Sequence, residues 1–425
     1  MNSNLIAEVF GLIRETSKTS DKKKILGTYI GNLNLQRVLV AGLTPTTSYG
    51  VANLPVVIKH GSKVFNDTTW EILNKLQKRT LTGDAARFAI LGERVQLTED
   101  SSNLLCQILT KDFQAGFGIK LVNTVMPGLI NTVPYMRCSL WKDQKVSWAG
   151  GIYVQTKCDG LYGDGTLEYG LRSRTGHTLN VPQVEEELKT LLGQGERVNG
   201  EILFYHATSG LLPRETGNGI ANSGAPIPDD ITPKYVVWDL HSENWTHSYN
   251  YKERLEDLRG RLDYTDFGYI QLVKSDLVLS LATARFLFDK EVARGGEGII
   301  LKDPSGLWLD GTSTKQWKLK KEFTCELRVM EFIEGTGKNA DTFGSLLCET
   351  DDRMLSVAVS GFSDRLRQEI WDNERYSLGA IIEVKFKDVM HTDKKGYSLF
   401  EPRFVAFRAD KTITDTTAYI VEGAK

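Results

Sequence analysis

The chain has 425 residues, more than one ordinary core accommodates, so two or three domains are expected. Apolar residues make up 41% and charged residues 25%, the balance of a soluble globular protein, and no apolar run is long enough to span a membrane. The formal net charge of −2 is unevenly placed, because residues 1–150 hold 18 Lys+Arg against 11 Asp+Glu and the remainder 34 against 43, so the basic first third is expected to meet a polyanion.

The opening stretch MNSNLIAEVFGLIRET carries acidic residues and no cleavage-like site after a hydrophobic core, so no secretion signal is expected. Helical spacing then dominates: Ile6, Val9, Phe10 and Ile13 share one face, as do Trp70, Leu73 and Leu76. Thr82 is placed as an N-cap, with Asp84 in the first turn where the helix dipole favours it. AGFGIKLVNTVMPGLI (115–130) reads as a helix that begins at small residues and stops at Pro127-Gly128. Exposed amides at such a start suit a phosphate, with Lys120 and Asn123 on the next turns.

Pro134 and Gly150-Gly151 mark residues 131–150 as a linker. Beyond it, β-rich runs (IYVQTK, GEILFY, KYVVWDL, GIILK) alternate with helical ones (VPQVEEELKTLL, LVLSLATARFLFDKEVARG), the pattern of an α+β domain with antiparallel sheets. From Cys325 onward CELRVMEFIEG, FGSLLCET, MLSVAVSG, AIIEVKFKDV and PRFVAFRA supply five strands, with the helix SDRLRQEIWDN between the third and fourth, which fits an OB-type barrel. The expected organisation is an all-α domain over 1–132, an α+β domain over 133–322 and an all-β OB-fold over 323–425. Cysteines 106, 138, 158, 325 and 348 are widely spaced and form no CxxC, which argues for a reducing compartment and against a zinc cluster.

In QTKCDGLYGDGT (155–166) Lys157 stands two residues ahead of Asp-Gly. KxDG alone is weak evidence, but a lysine amine can attack phosphorus and carry a nucleotide through a P–N bond. The ordinary lysine pKa is about 10.4, so a site using the free amine needs burial or neighbouring cations. Later stretches offer those cations and more. SRTG presents Arg174 as a fork for a phosphate or a sugar hydroxyl, and NGEILFY places Glu201 on a strand. GGEGIILKDP sets Glu297 at one end of a strand and Lys302 at the other, while WKLK aligns Lys318 and Lys320 on one face. Two carboxylates suited to Mg²⁺ and three lysines suited to a triphosphate thus accompany one nucleophile.

Taken in order, KCDG, SRTG, NGE, YVVWD, EGIILK, WKLK and RADK (408–411) resemble the nucleotidyltransferase motifs of ATP-dependent DNA ligases, specifically the tailed-bacteriophage type with a helical DNA-binding domain. GNGIAN, LTGDAA and MPGLI are similar to the same group. The resemblance implies that Lys157 is adenylated, that Gln155 reads the adenine amino group and that Trp238 stacks on the base. It implies contacts of Arg174 and Lys302 with the nucleotide, of Glu201 with ribose or metal, of Glu297 with metal, and of Lys318 and Lys320 with the α-phosphate. Arg408, Asp410 and Lys411 would orient the departing pyrophosphate, and Lys120, Asn123 and Arg172 would touch DNA. ATP, Mg²⁺ or Mn²⁺, and nicked or broken duplex DNA are the implied cofactors and partner, for a monomer in the cytoplasm of a bacterial or phage-infected cell. A hinge is expected at Lys321–Thr324.

One position departs from the family pattern. KxDGxR usually ends in arginine, and this chain has Tyr162 there. Adenylation is expected to survive, and nick binding or the sealing step to change. An RNA ligase, a capping-type guanylyltransferase and an impaired nick- or end-binding protein are the alternatives. An NAD-dependent ligase is disfavoured by the missing four-cysteine zinc set and the presence of RADK.

Overall fold

A computed structural model describes residues 3–51, 53–141, 146–242, 249–373, 377–392 and 396–424. The chain divides into one unit made of Met1–Asn131 with Glu322–Lys425 and a second made of Thr132–Lys321. Among the described residues no helix is long and apolar enough to cross a membrane.

Helices α1 (Ser3–Arg14), α2 (Thr19–Thr28), α3 (Leu33–Leu43), α4 (Asp67–Gln77), α5 (Gly83–Gln96), α6 (Glu99–Thr110) and α7 (Ile119–Val125) fill the first segment. The helical spacing of Ile6, Val9, Phe10 and Ile13 puts all four in a core built from residues between Ile6 and Ile130. Thr82 does precede α5, but its side chain makes no capping bond. The helix expected from Ala115 starts only at Ile119. The reason lies in α2: buried Lys22 donates to the carbonyls of Ala115 and Gly116, at 2.8 and 3.0 Å, and holds that stretch outside the helix. Asn123 then pins the loop after Pro127-Gly128, donating to Ile130 O at 2.7 Å and accepting from Ile130 N at 3.0 Å.

The central unit holds two sheets. Strands β1 (Met136–Leu140), β2 (Ile152–Thr156), β3 (Leu161–Thr166) and β4 (Gly170–Arg172) lead to helix α8 (Pro182–Leu191). There follow β5 (Glu196–His206), β6 (Gly210–Leu211), α9 (Arg214–Asn222), β7 (Ile231–Ser242), α10 (Tyr251–Tyr264), β8 (Ile270–Leu272), β9 (Ser275–Val278), α11 (Leu281–Ala293), β10 (Gly298–Lys302) and β11 (Gly311–Lys320). One sheet runs β1-β11-β10-β2-β9 and the other β4-β3-β5-β7-β8, with β6 added beside β5. Not all pairs are antiparallel, since β1 lies parallel to β11 and β8 parallel to β7. The stretch read as a linker therefore contains a sheet strand, β1, whose partner Gly311 lies far along the chain and leaves no local signature. Likewise Leu277 and Val278, read as the start of a helix, belong to β9, and α11 begins only after Ser280, whose hydroxyl accepts from Thr283 N at 3.1 Å.

Beyond Glu322 come β12 (Phe323–Glu334), β13 (Phe343–Glu349), β14 (Ser356–Val359), α12 (Asp364–Asp372), β15 (Ile381–Phe386), β16 (Asp388–Thr392), β17 (Gly396–Phe400) and β18 (Arg403–Phe407). The order β14-β13-β12-β15-β18 closes on itself where Phe404 N donates to Ser360 O at 2.8 Å, the closed OB-like barrel expected from the strand pattern. The hairpin β16–β17 is additional to the five strands read from the sequence.

Candidate active site

The two central sheets enclose a cavity of about 560 Å³, and Lys157 stands where the chain crosses from β2 in one sheet to β3 in the other. Two glycines make that crossover possible. At Gly160 a Cβ would lie 2.4 Å from the carbonyl oxygen of Ile202, so Asp159 can be followed only by glycine. At Gly298 φ is +140° and a Cβ would come within 2.1 Å of Leu319 O, while the Gly298 carbonyl accepts from Lys157 N at 3.0 Å.

Of the residues singled out in the sequence, Gln155, Lys157, Arg174, Glu201, Trp238, Lys302, Lys318 and Lys320 line this one cavity. Lys318 and Lys320 alternate on β11 and so project from the same face. Glu297 stands between the lysines, ion-paired to Lys157 Nζ through one oxygen and to Lys320 Nζ at 3.0 Å through the other. Burial works to raise its pKa, but the two ammonium groups prevail and hold it below the usual carboxylate value. Glu201, with one oxygen 3.3 Å from Gly160 N, is pushed by burial up to about 7 in spite of nearby Lys157. Lys302 is fully buried, its Nζ 4.4 Å from the centre of the Tyr251 ring, and desolvation lowers its pKa to about 8. Trp238 is the one partly exposed residue in the stretch of β7 from Tyr235 to Ser242, so its ring edges the cavity while its neighbours stay in the core. Behind it Asp239 forms a bidentate pair with Arg254, at 2.7 and 3.1 Å, both side chains almost wholly buried.

Other candidate residues are not among those that line the cavity. Arg172 pairs with Asp164 at 3.3 Å and covers the Tyr169 ring at 4.1 Å. Lys120 and Asn123 are on α7, Lys120 exposed and Asn123 engaged with Ile130. Arg408, Asp410 and Lys411 belong to the other unit, where Arg408 grips Asp410 at 2.8 and 2.9 Å and Glu326 at 2.5 Å, with Lys411 3.9 Å from Glu326.

Tyr135, Arg137 and Arg214 also line the cavity without having been singled out. Arg214 opens α9 and reaches Asp159 at 3.5 Å. A cation directly after Pro213 at a helix start was its only trace in the sequence, and Tyr135 and Arg137 left none. Tyr162 packs edge-on against Tyr135, centroids 4.7 Å apart, and 6.2 Å from Trp238. Its hydroxyl is buried and has no partner among the described residues, and burial lifts its pKa well above 10.

A cation-rich cleft with a lysine at the crossover, an indole at one wall and two carboxylates defines a covalent nucleotidyltransferase. Residues 143–321 match the family model of the ATP dependent DNA ligase domain, and residues 334–409 match that of the DNA ligase OB-like domain. The chain is 24% identical to the DNA ligase of Enterobacteria phage T4 over 97% of both chains, and 28% identical to that of Methanosphaerula palustris over 57% of this chain and 48% of the relative. Among solved structures, Pmar-Lig_Pre shares the fold with a TM-score of 0.76 at 22% identity, covering 95% of this chain and 99% of that one. A Lig E DNA ligase shares it over 65% of this chain and 100% of its own, with a TM-score of 0.51 at 19% identity. The chain belongs to the ATP-dependent DNA ligase family.

Proposed function

We propose that the chain seals breaks in duplex DNA that carry a 5′-phosphate and a 3′-hydroxyl, using ATP and acting as a monomer in the cytoplasm. In the first step the Lys157 amine attacks the α-phosphorus of ATP, a P–N bond forms, and pyrophosphate leaves with the electrons of the broken P–O bond. In the second, an oxygen of the 5′-phosphate attacks the same phosphorus and displaces the lysine. In the third, the 3′-hydroxyl attacks the activated 5′-phosphorus, gives up its proton and expels AMP. All three are phosphoryl transfers, in which the protein positions groups and neutralises charge.

The observation that carries this reading is the placement of Lys157 beside Lys318, Lys320, Arg174 and Trp238 in a single cavity. The indole offers a face for a base, and the cations answer the charges of a triphosphate. Glu297 holds Lys157 and Lys320 side by side, two cations that would otherwise repel, and so keeps the nucleophile aimed into the cavity before nucleotide binds. Glu201 and Glu297 are close enough for the charge of one to raise the pKa of the other. Two carboxylates fit Mg²⁺ or Mn²⁺, hard ions that accept a few protein oxygens alongside phosphate and water. Such an ion would supply charge neutralisation at the phosphates. Arg408, Asp410 and Lys411 are assigned to the pyrophosphate, and exposed Lys120 to the DNA backbone. Duplex DNA of any sequence is the substrate, since contacts to phosphate position a protein without reading bases.

Incubation with α-labelled ATP and Mg²⁺, followed by denaturation, is expected to leave label on the protein and none on Lys157→Ala, which also fails to seal a nicked duplex. Absence of label on the wild-type protein, or its persistence on the variant, would falsify the assignment. Labelling by GTP in place of ATP would indicate capping chemistry.

A further inference from the structure

We infer that Tyr251 and Ser275 set the base preference of this enzyme by fixing which end of the Gln155 amide faces the nucleotide cavity. The inference rests on the nucleotidyl-transfer reading above. An amide presents an acceptor at one end and two donors at the other, in nearly the same shape, so only its hydrogen-bond partners decide its orientation. Gln155 lies on β2, is 2% exposed, and has Ser275 of β9 as its direct cross-strand neighbour. Its Nε2 is 2.6 Å from the Tyr251 hydroxyl and 2.7 Å from the Ser275 hydroxyl.

Each hydroxyl has one proton to give. The Tyr251 oxygen lies 3.1 Å from the carbonyl of Trp238, and the Ser275 oxygen 3.2 Å from the carbonyl of Val273. Carbonyls only accept, so all four contacts are hydrogen bonds at once only when both protons go to the carbonyls and both hydroxyls turn lone pairs toward Gln155. Only an NH₂ group satisfies both at once. Burial lifts the Tyr251 pKa well above 10 and keeps its proton in place. Neither Tyr251 nor Ser275 lines the cavity, whereas Gln155 does, so the amide oxygen is the end left facing it. Among the described residues no donor reaches that oxygen in hydrogen-bond geometry.

Beside the Trp238 ring the cavity therefore offers an obligate acceptor. The 6-amino group of adenine donates to it, and the O6 of guanine meets it lone pair against lone pair. Because Tyr251 also holds the Trp238 carbonyl, the stacking ring and the amide that reads the base edge are set by one network. Tyr251 and Ser275 are positioning residues, acting on the base through Gln155.

The test is transfer of label from α-labelled ATP, GTP and inosine triphosphate, the last carrying O6 without the 2-amino group. Wild type is expected to prefer ATP over either by at least about 100-fold in kcat/KM, since a buried group left facing its own kind is strongly rejected. In Tyr251→Phe with Ser275→Ala the amide is free to turn, and the preference is expected to narrow by about tenfold or more. In a Gln155→Glu background both ends are oxygen, so the same two changes should leave the preference within about twofold. Ser275→Ala alone, at a half-buried strand position, is expected to narrow it in the same direction and serves if the Tyr251 variant folds poorly. Equal loss of ATP and inosine triphosphate labelling in these variants overturns the inference, as does a wild type that takes both alike. A wild type labelled by no nucleotide overturns the parent reading as well, whereas ATP labelling with an unmoved ratio overturns this inference alone.

Discussion

At position 162 the cavity wall is a neutral phenol, wedged between Tyr135 and Trp238 with its hydroxyl unpartnered among the described residues, where the family pattern has a guanidinium. A neutral group can donate one hydrogen bond to a phosphate but cannot match its charge. Tyr162→Arg is expected to leave lysine adenylation in place and to tighten nick binding by about tenfold, the worth of one charge-assisted hydrogen bond, as read by filter binding. No gain in either binding or sealing rate would refute that role. Glu201 gives a second handle. Its pKa of about 7 in the folded protein lies above its ordinary 4.5, so the proton binds the folded state more tightly. The stability from this group is complete below about pH 4.5, declines as pH rises through the interval, and is gone above about 7. The melting-temperature difference between wild type and Glu201→Gln is therefore expected to shift against wild type from pH 5 to 8, and a flat difference would remove Glu201 as the buried acid. These two residues were legible to different degrees. Glu201 stood in a recognisable NGE, while Tyr162 showed only what was missing, and its packing against Tyr135 had no trace in the sequence.

Strand β7 and helix α10 are tied by a buried ion pair directly behind the Trp238 indole. Arg254 binds Asp239 in bidentate fashion and donates to the carbonyls of Tyr249 and Gly306, at 2.8 and 3.1 Å. Arg254→Leu leaves the Asp239 carboxylate buried without its hydrogen-bonded partner, so a loss of about 3 to 5 kcal/mol is expected in urea unfolding, together with weaker ATP binding. Retention of full stability would mean that water or a neighbour rescues Asp239. The long elements with a strong period, such as α1 and β12, were readable because each residue's burial follows from its own spacing. Strand β1 and the delayed start of α7 were not, because each depends on a partner elsewhere: β11 in the first case, Lys22 in the second.

For the whole molecule, a basic first third fits a grip on DNA backbone that ignores sequence. Nick binding by the full chain is expected to weaken by about 0.9 log units per phosphate contact for each tenfold rise in salt, and removing residues 1–131 is expected to flatten that slope. An unchanged slope would take the helical segment out of the DNA-binding role. The sequence by itself carried the chemical kit: a lysine before Asp-Gly, two carboxylates, paired lysines on a strand, an indole, and strand and helix periods around them. These are local patterns, written in neighbouring residues. Folding decided which of them meet, since Lys157 finds Glu297 140 residues away and Gln155 finds Tyr251 96 residues away. It also decided which end of an amide faces the cavity and what surrounds a buried phenol. Hydrogen bonds and charge pairs act over a few ångströms in space, and separation along the chain does not encode that distance.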